Sequence, residues 1–219
     1  MTARLIRRTA LATLAVTAST AAMAHIGADG AAHIHAPDWS NSFAQGFTHP
    51  FTGLDHLAAM VTVGLWSVLG QKSQTSDRGP WHLLSKPLAF ALTLLIGAVA
   101  GLTGMSVPGV EPMIAASLLV LGLLVATRTQ MAPTVGASLV AAFAFFHGAA
   151  HGQELSGHAI AALAGMVLCT GLLHTAGMTA GFALRAQSHN KQRWAERVTG
   201  AGVALFGMTL LTPAVAAVL

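Results

Sequence analysis

PLAFALTLLIGAVAGLTGMS, residues 87–106, is a run of twenty residues without one charged side chain. At about 1.5 Å of rise per residue, a helix of that length covers roughly 30 Å, the thickness of a bilayer's hydrocarbon core. Similar apolar windows recur near 48–70, 112–127, 134–152, 158–184 and 198–218. Soluble core helices keep a polar face, and these mostly lack one. The whole chain of 219 residues is 54% apolar and 8% charged, against roughly 25% charged in a soluble domain. The pattern predicts an all-α, polytopic membrane protein with six transmembrane helices over 48–219.

The N-terminus reads differently. Arg4, Arg7 and Arg8 precede an apolar stretch from Thr9 to Ala22, and Ala22-Met23-Ala24 has the small-x-small form of a cleavage site. The apolar core is shorter than the ~20 residues of a span, so 1–24 is expected to be a cleaved signal peptide. The mature chain then begins at His25, outside the cytoplasm, with 25–47 as a periplasmic, His-bearing segment.

Charge placement supports that orientation. Lys72, Arg78, Lys86, Arg128, Arg185, Lys191, Arg193 and Arg197 all fall in the expected loops 71–86, 128–133 and 185–197. With the mature N-terminus and the C-terminus both periplasmic, these loops face the cytoplasm, as the positive-inside rule requires of an inner-membrane protein. The net charge of +4 is therefore a matter of topology. No basic face interleaved with aromatics exists to suggest a nucleic-acid partner. Three spans precede the 128–133 loop and three follow it, so a 3+3 inverted repeat would place spans 1 and 4 at corresponding positions. Whether copies associate into a homo-oligomer is open.

Eleven histidines against seven acidic residues is the anomaly. His49, Asp55 and His56 lie in His49-Pro50-Phe51-Thr52-Gly53-Leu54-Asp55-His56, where Pro50 and Gly53 loosen the first turn of span 1. On a helix, His49, His56 and Met60 share one face. His147, His151 and Glu154 are spaced i, i+4 and i+7, one stripe along span 4. Two imidazoles four residues apart can grip one metal ion, with the carboxylate as a third ligand or as an anchor for an imidazole. The competing explanation, separate interhelical hydrogen bonds, needs partners in a chain with few polar groups to offer. His174, in span 5, is either a packing histidine or a further step inward. His25, His33 and His35 could scavenge ions weakly or form a leader without function. Cys169 sits alone in an apolar run and the methionines read as packing residues.

The stretches HPFTGLDH at His49–His56, AMVTVGLW at Ala59–Trp66 and FHGAAHGQE at Phe146–Glu154 resemble the HupE/UreJ family of nickel permeases. His174 and Gly177 resemble that family's LHxxG segment. The resemblance implies secondary uptake of nickel, or cobalt in some members. Carried over residue by residue, it makes His49, Asp55, His56, His147, His151 and Glu154 the transport-site candidates, with His174 and the N-terminal histidines beside them. The expected substrate is a divalent metal ion, nickel first, with cobalt and zinc open, because imidazole and carboxylate suit all three. No prosthetic group is expected, and no ATP-binding loop is visible. An intramembrane metal-dependent hydrolase could use the same residues, and an accessory metal-sensing subunit is the other alternative.

Overall fold

A computed structural model of the chain describes residues 38–71 and 79–216, with side chains to 212. The expected signal peptide at 1–24, His25, His33, His35, Lys72 and Arg78 lie outside the described residues. Among those described there is no strand. The elements are α1 (Trp39–Thr52), α2 (Leu54–Leu69), α3 (Trp81–Leu102), α4 (Val110–Ala126), α5 (Pro133–Glu154), α6 (Ala159–Arg185) and α7 (His189–Ala216).

The described residues are all-helical, and the chain is a multi-pass membrane protein. Three helices, α3, α5 and α6, are each long and apolar enough to cross a membrane. α1 and α2 pass the same test only as a pair, bent by 83° where they meet. The other two windows lie in α4, an apolar helix of 17 residues, and in the later part of α7, which begins with the charged residues Lys191, Arg193, Glu196 and Arg197.

The first window departs most from expectation. Helix starts at Trp39, well inside the segment read as a polar leader. Asp38 caps it, its Oδ1 accepting from Ser40 N at 3.1 Å, and Trp39, Phe43, Phe47 and Phe51 follow at intervals of four. Their rings lie 5.6, 6.3 and 6.1 Å apart in succession, a ladder of the kind that steadies one helix face. α1 then stops at Thr52, just after Pro50, and Gly53 is extended between the two helices. The shared helical face expected for His49, His56 and Met60 therefore does not exist, because the break sends the chain in a new direction between them.

Without a hydrophobic drive in lipid, helices associate through close packing. The most extensive pairings are α3 with α5, α4 with α7, and α6 with both α2 and α1. Each is built on glycines that leave the partner's backbone no room for a Cβ: Gly97 and Gly148 between α3 and α5, Gly122 and Gly200 between α4 and α7, Gly64 and Gly177 between α2 and α6. Numbering the expected spans in order, these three pairings are 2 with 4, 3 with 6 and 1 with 5. Exchanging the two halves converts the first into the last and leaves the middle one unchanged.

One end of the bundle gathers the basic residues. Lys86, expected in a loop, is instead inside α3 and 1% exposed, because Pro87 falls in the early turns of that helix and does not end it. Its Nζ lies 4.8 Å from the centroid of the Trp66 ring. Arg128 Nε pairs with Glu196 Oε2 at 2.5 Å, and Arg185 donates to the Gln71 carbonyl at 2.9 Å. Trp66 Nε1 donates to the Thr129 carbonyl at 3.1 Å.

Candidate metal site

The break at Gly53 builds half of the site. His49 lies in the last turn of α1, and the partial negative charge of a helix C-terminus favours a cation nearby. α2 begins with Asp55 and His56, where the N-terminal dipole favours the carboxylate. Asp55 Oδ1 accepts from the His56 backbone N–H at 2.9 Å and lies 3.1 Å from His56 Nδ1. A carboxylate can only accept here, so Nδ1 carries the proton and His56 Nε2 keeps its lone pair. This carboxylate and imidazole pairing is the one that orients metal-binding histidines elsewhere. A Cβ on Gly53 would stand 2.8 Å from Asp55 Oδ1 and 2.9 Å from His56 Nδ1. Glycine at that position is what lets the pair close.

The other half is the C-terminal stretch of α5, whose i, i+4 spacing sets His147 and His151 on one side, both 0% exposed. His151 stands between the two halves. Its ring centroid is 4.2 Å from that of His56 and 4.8 Å from that of His49. His147 meets the His56 ring edge-on at 5.0 Å. Glu154, exposed at the end of α5, places Oε2 2.7 Å from His49 Nε2. His49, His151 and Glu154 each offer one ligand atom within 4.8 Å of the others. Metal to ligand distances of about 2.0–2.2 Å call for a small contraction of that triangle.

The chemistry of this arrangement is in its unpaired atoms. His56 Nε2, His147 Nδ1, both ring nitrogens of His151 and His174 Nε2 are buried without a hydrogen-bond partner. Each is expensive to leave bare in an apolar interior, and the rings of His56, His147 and His151 are in contact. Asp55 is placed as the support of His56. His174 is not in the cluster. The ring of Phe90 lies between, 5.7 Å from His147 and 5.1 Å from His174 by centroids.

Three residues in this neighbourhood are absent from the sequence-based set. Phe90 and Ser117 sit in apolar runs where nothing local distinguishes them. Glu111 had a weak signal, an acid at the edge of an apolar window; it lies in the first turn of α4, within the electrostatic reach of Asp55 and Glu154. Cys169 and Met60 are core residues, as expected, and Thr170 Oγ1 reaches Met60 Sδ at 3.6 Å. His158 caps α6 through Ala161 N.

A family model described as HupE / UreJ protein matches residues 12–210. Protein HupE of Rhizobium leguminosarum bv. viciae is 37% identical over 195 residues, 88% of this chain and 96% of that protein. No solved structure matches. The matching family is of the transporter type and its members are not enzymes, which sets the hydrolase alternative aside.

Proposed function

We propose, since this chain belongs to the HupE/UreJ family, that it is a secondary permease importing a divalent transition metal, nickel first, across the bacterial inner membrane. The observation that carries this reading is the set of bare, buried imidazole nitrogens on α2, α5 and α6. A structural role would pair such atoms; a transport site must keep them available. The ligand chemistry is imidazole nitrogen with carboxylate oxygen, which suits nickel, cobalt and zinc better than copper(I).

Six spans fit the helices if α1 with α2 counts as one, α4 as a short span and the apolar part of α7 as the last. α4 has 17 residues, at the lower end of the ~17–25 that a span requires. An inverted repeat of three and three fits the way the principal pairings exchange between halves. The basic end of the bundle faces the cytoplasm under the positive-inside rule, and the imidazole cluster then faces the periplasm.

On this reading the ion arrives outside, handed on by His25, His33 and His35, and exchanges its water for His49, His151 and Glu154. His56 and His147 take it deeper. It passes Phe90 to His174 and leaves toward the cytoplasm. Purified protein in liposomes loaded with a metal-responsive dye, offered nickel, cobalt, zinc and copper in turn, tests the proposal. Nickel should accumulate with wild-type protein and not with His56→Ala or His151→Ala. Equal accumulation by wild type and both variants, or no flux of any ion, would overturn it.

A further inference from the structure

Ser117 is fully buried in α4, a helix that contributes none of the proposed ligands. Its Oγ is 2.6 Å from the Ile114 carbonyl oxygen and 2.9 Å from His147 Nε2. A hydroxyl has one proton, and a carbonyl oxygen can only accept, so that proton belongs to the shorter contact with Ile114. Ser117 Oγ must then accept from His147, whose proton sits on Nε2. His147 Nδ1 is left with its lone pair and has no hydrogen-bond partner. The backbone of α4 thus dictates, through one hydroxyl, the tautomer of a histidine on another helix.

The contrast with His56 sharpens the point. Asp55 takes the Nδ1 proton of His56 and bares Nε2; Ser117 takes the Nε2 proton of His147 and bares Nδ1. The two rings meet edge-on at 5.0 Å between centroids, each with a different nitrogen free. We propose that Ser117 is a positioning residue for metal binding: it holds His147 in the tautomer and orientation that present Nδ1 to the ion. The inference rests on the permease reading above and adds which nitrogen His147 uses and what selects it.

Two measurements on full-length protein in detergent test it. The first needs no metal. Nitrogen NMR of histidine-labelled protein should show a neutral imidazole protonated at Nε2 that vanishes in His147→Ala and becomes a mixture of tautomers in Ser117→Ala. An Nδ1-protonated His147 in wild type, or an unchanged tautomer in Ser117→Ala, would overturn the proposal whether or not nickel is the substrate. The second is nickel affinity by competition with a chelating dye. Ser117→Ala should weaken it by about 10–100-fold, the usual loss when an outer partner of a metal ligand is removed, and Ser117→Thr, which keeps the hydroxyl, should restore most of it. In a His147→Ala background Ser117→Ala should have no further effect. A penalty that persists without His147 would contradict the inference. Wild-type protein that fails to bind nickel would instead sink the choice of nickel as substrate, leaving the tautomer to be decided by the first measurement.

Discussion

The two ends of this bundle handle buried polar groups in opposite ways. At the basic end each buried charge has a neighbour that compensates it: Arg128 beside Glu196, whose Oε2 lacks a hydrogen bond but whose Oε1 accepts from Gln192 at 2.7 Å, Arg185 with a carbonyl, Lys86 over an indole ring. At the imidazole end His151 has no partner on either nitrogen, and His56 and His147 each keep one free. Pairing is what a polar group in a membrane protein needs for stability, and the nitrogens left bare at one end are the feature on which the proposed metal binding rests. Most of His56 and His147 is nevertheless held rigidly, since each has its other nitrogen tied to Asp55 or Ser117. The free donors are aimed, not loose.

The largest test of this contrast is His151→Ala. Nickel uptake should fall about a hundredfold or more, at or beyond the loss expected for disturbing a ligand's support. The unfolding temperature in detergent should stay level or rise, because two unsatisfied nitrogens leave the interior. A large loss of stability would mean that His151 is structural. At the other end the signs reverse. Arg128→Ala strands the Glu196 carboxylate, which is 2% exposed, and should cost roughly 2–3 kcal/mol, below the full value for a buried pair because Arg128 is partly exposed. Thermal unfolding reads that cost, while nickel affinity per folded molecule should be unchanged.

Finer than either is Gly53→Ala. Its Cβ would press on Asp55 Oδ1 and His56 Nδ1, so the pair must open; the expected loss in nickel affinity is about tenfold, with the helices otherwise intact. Smallest is the response to acid. Coordinating imidazoles must be neutral, so protons compete with the ion and nickel affinity should fall on acidification. An affinity that rises on acidification would argue against imidazole ligands.

Much of this was legible in the chain itself. The apolar windows found helices, and the i, i+4 stripe of His147 and His151 survives intact because α5 is continuous through both. The stripe drawn through His49, His56 and Met60 failed for a physical reason. Pro50 and Gly53 do more than loosen a turn; they end one helix and start another, and the two histidines meet His151 from separate helices. The start of α1 had a signal that composition hid: Asp38 as a cap and aromatic residues every fourth position. Phe90 and Ser117 could not be found that way. Each looks like any other residue of its apolar run, and its meaning comes from which imidazole the packing of α3 and α4 brings against it.

X-ray absorption at the nickel edge of metal-loaded protein tests the central claim most directly. Multiple-scattering features of at least two imidazoles should appear in wild type, with nitrogen and oxygen neighbours only, and should diminish in His56→Ala and again in His56→Ala with His151→Ala. A nickel shell without imidazole scattering, or one that both variants leave unaltered, would show that these histidines do not hold the ion.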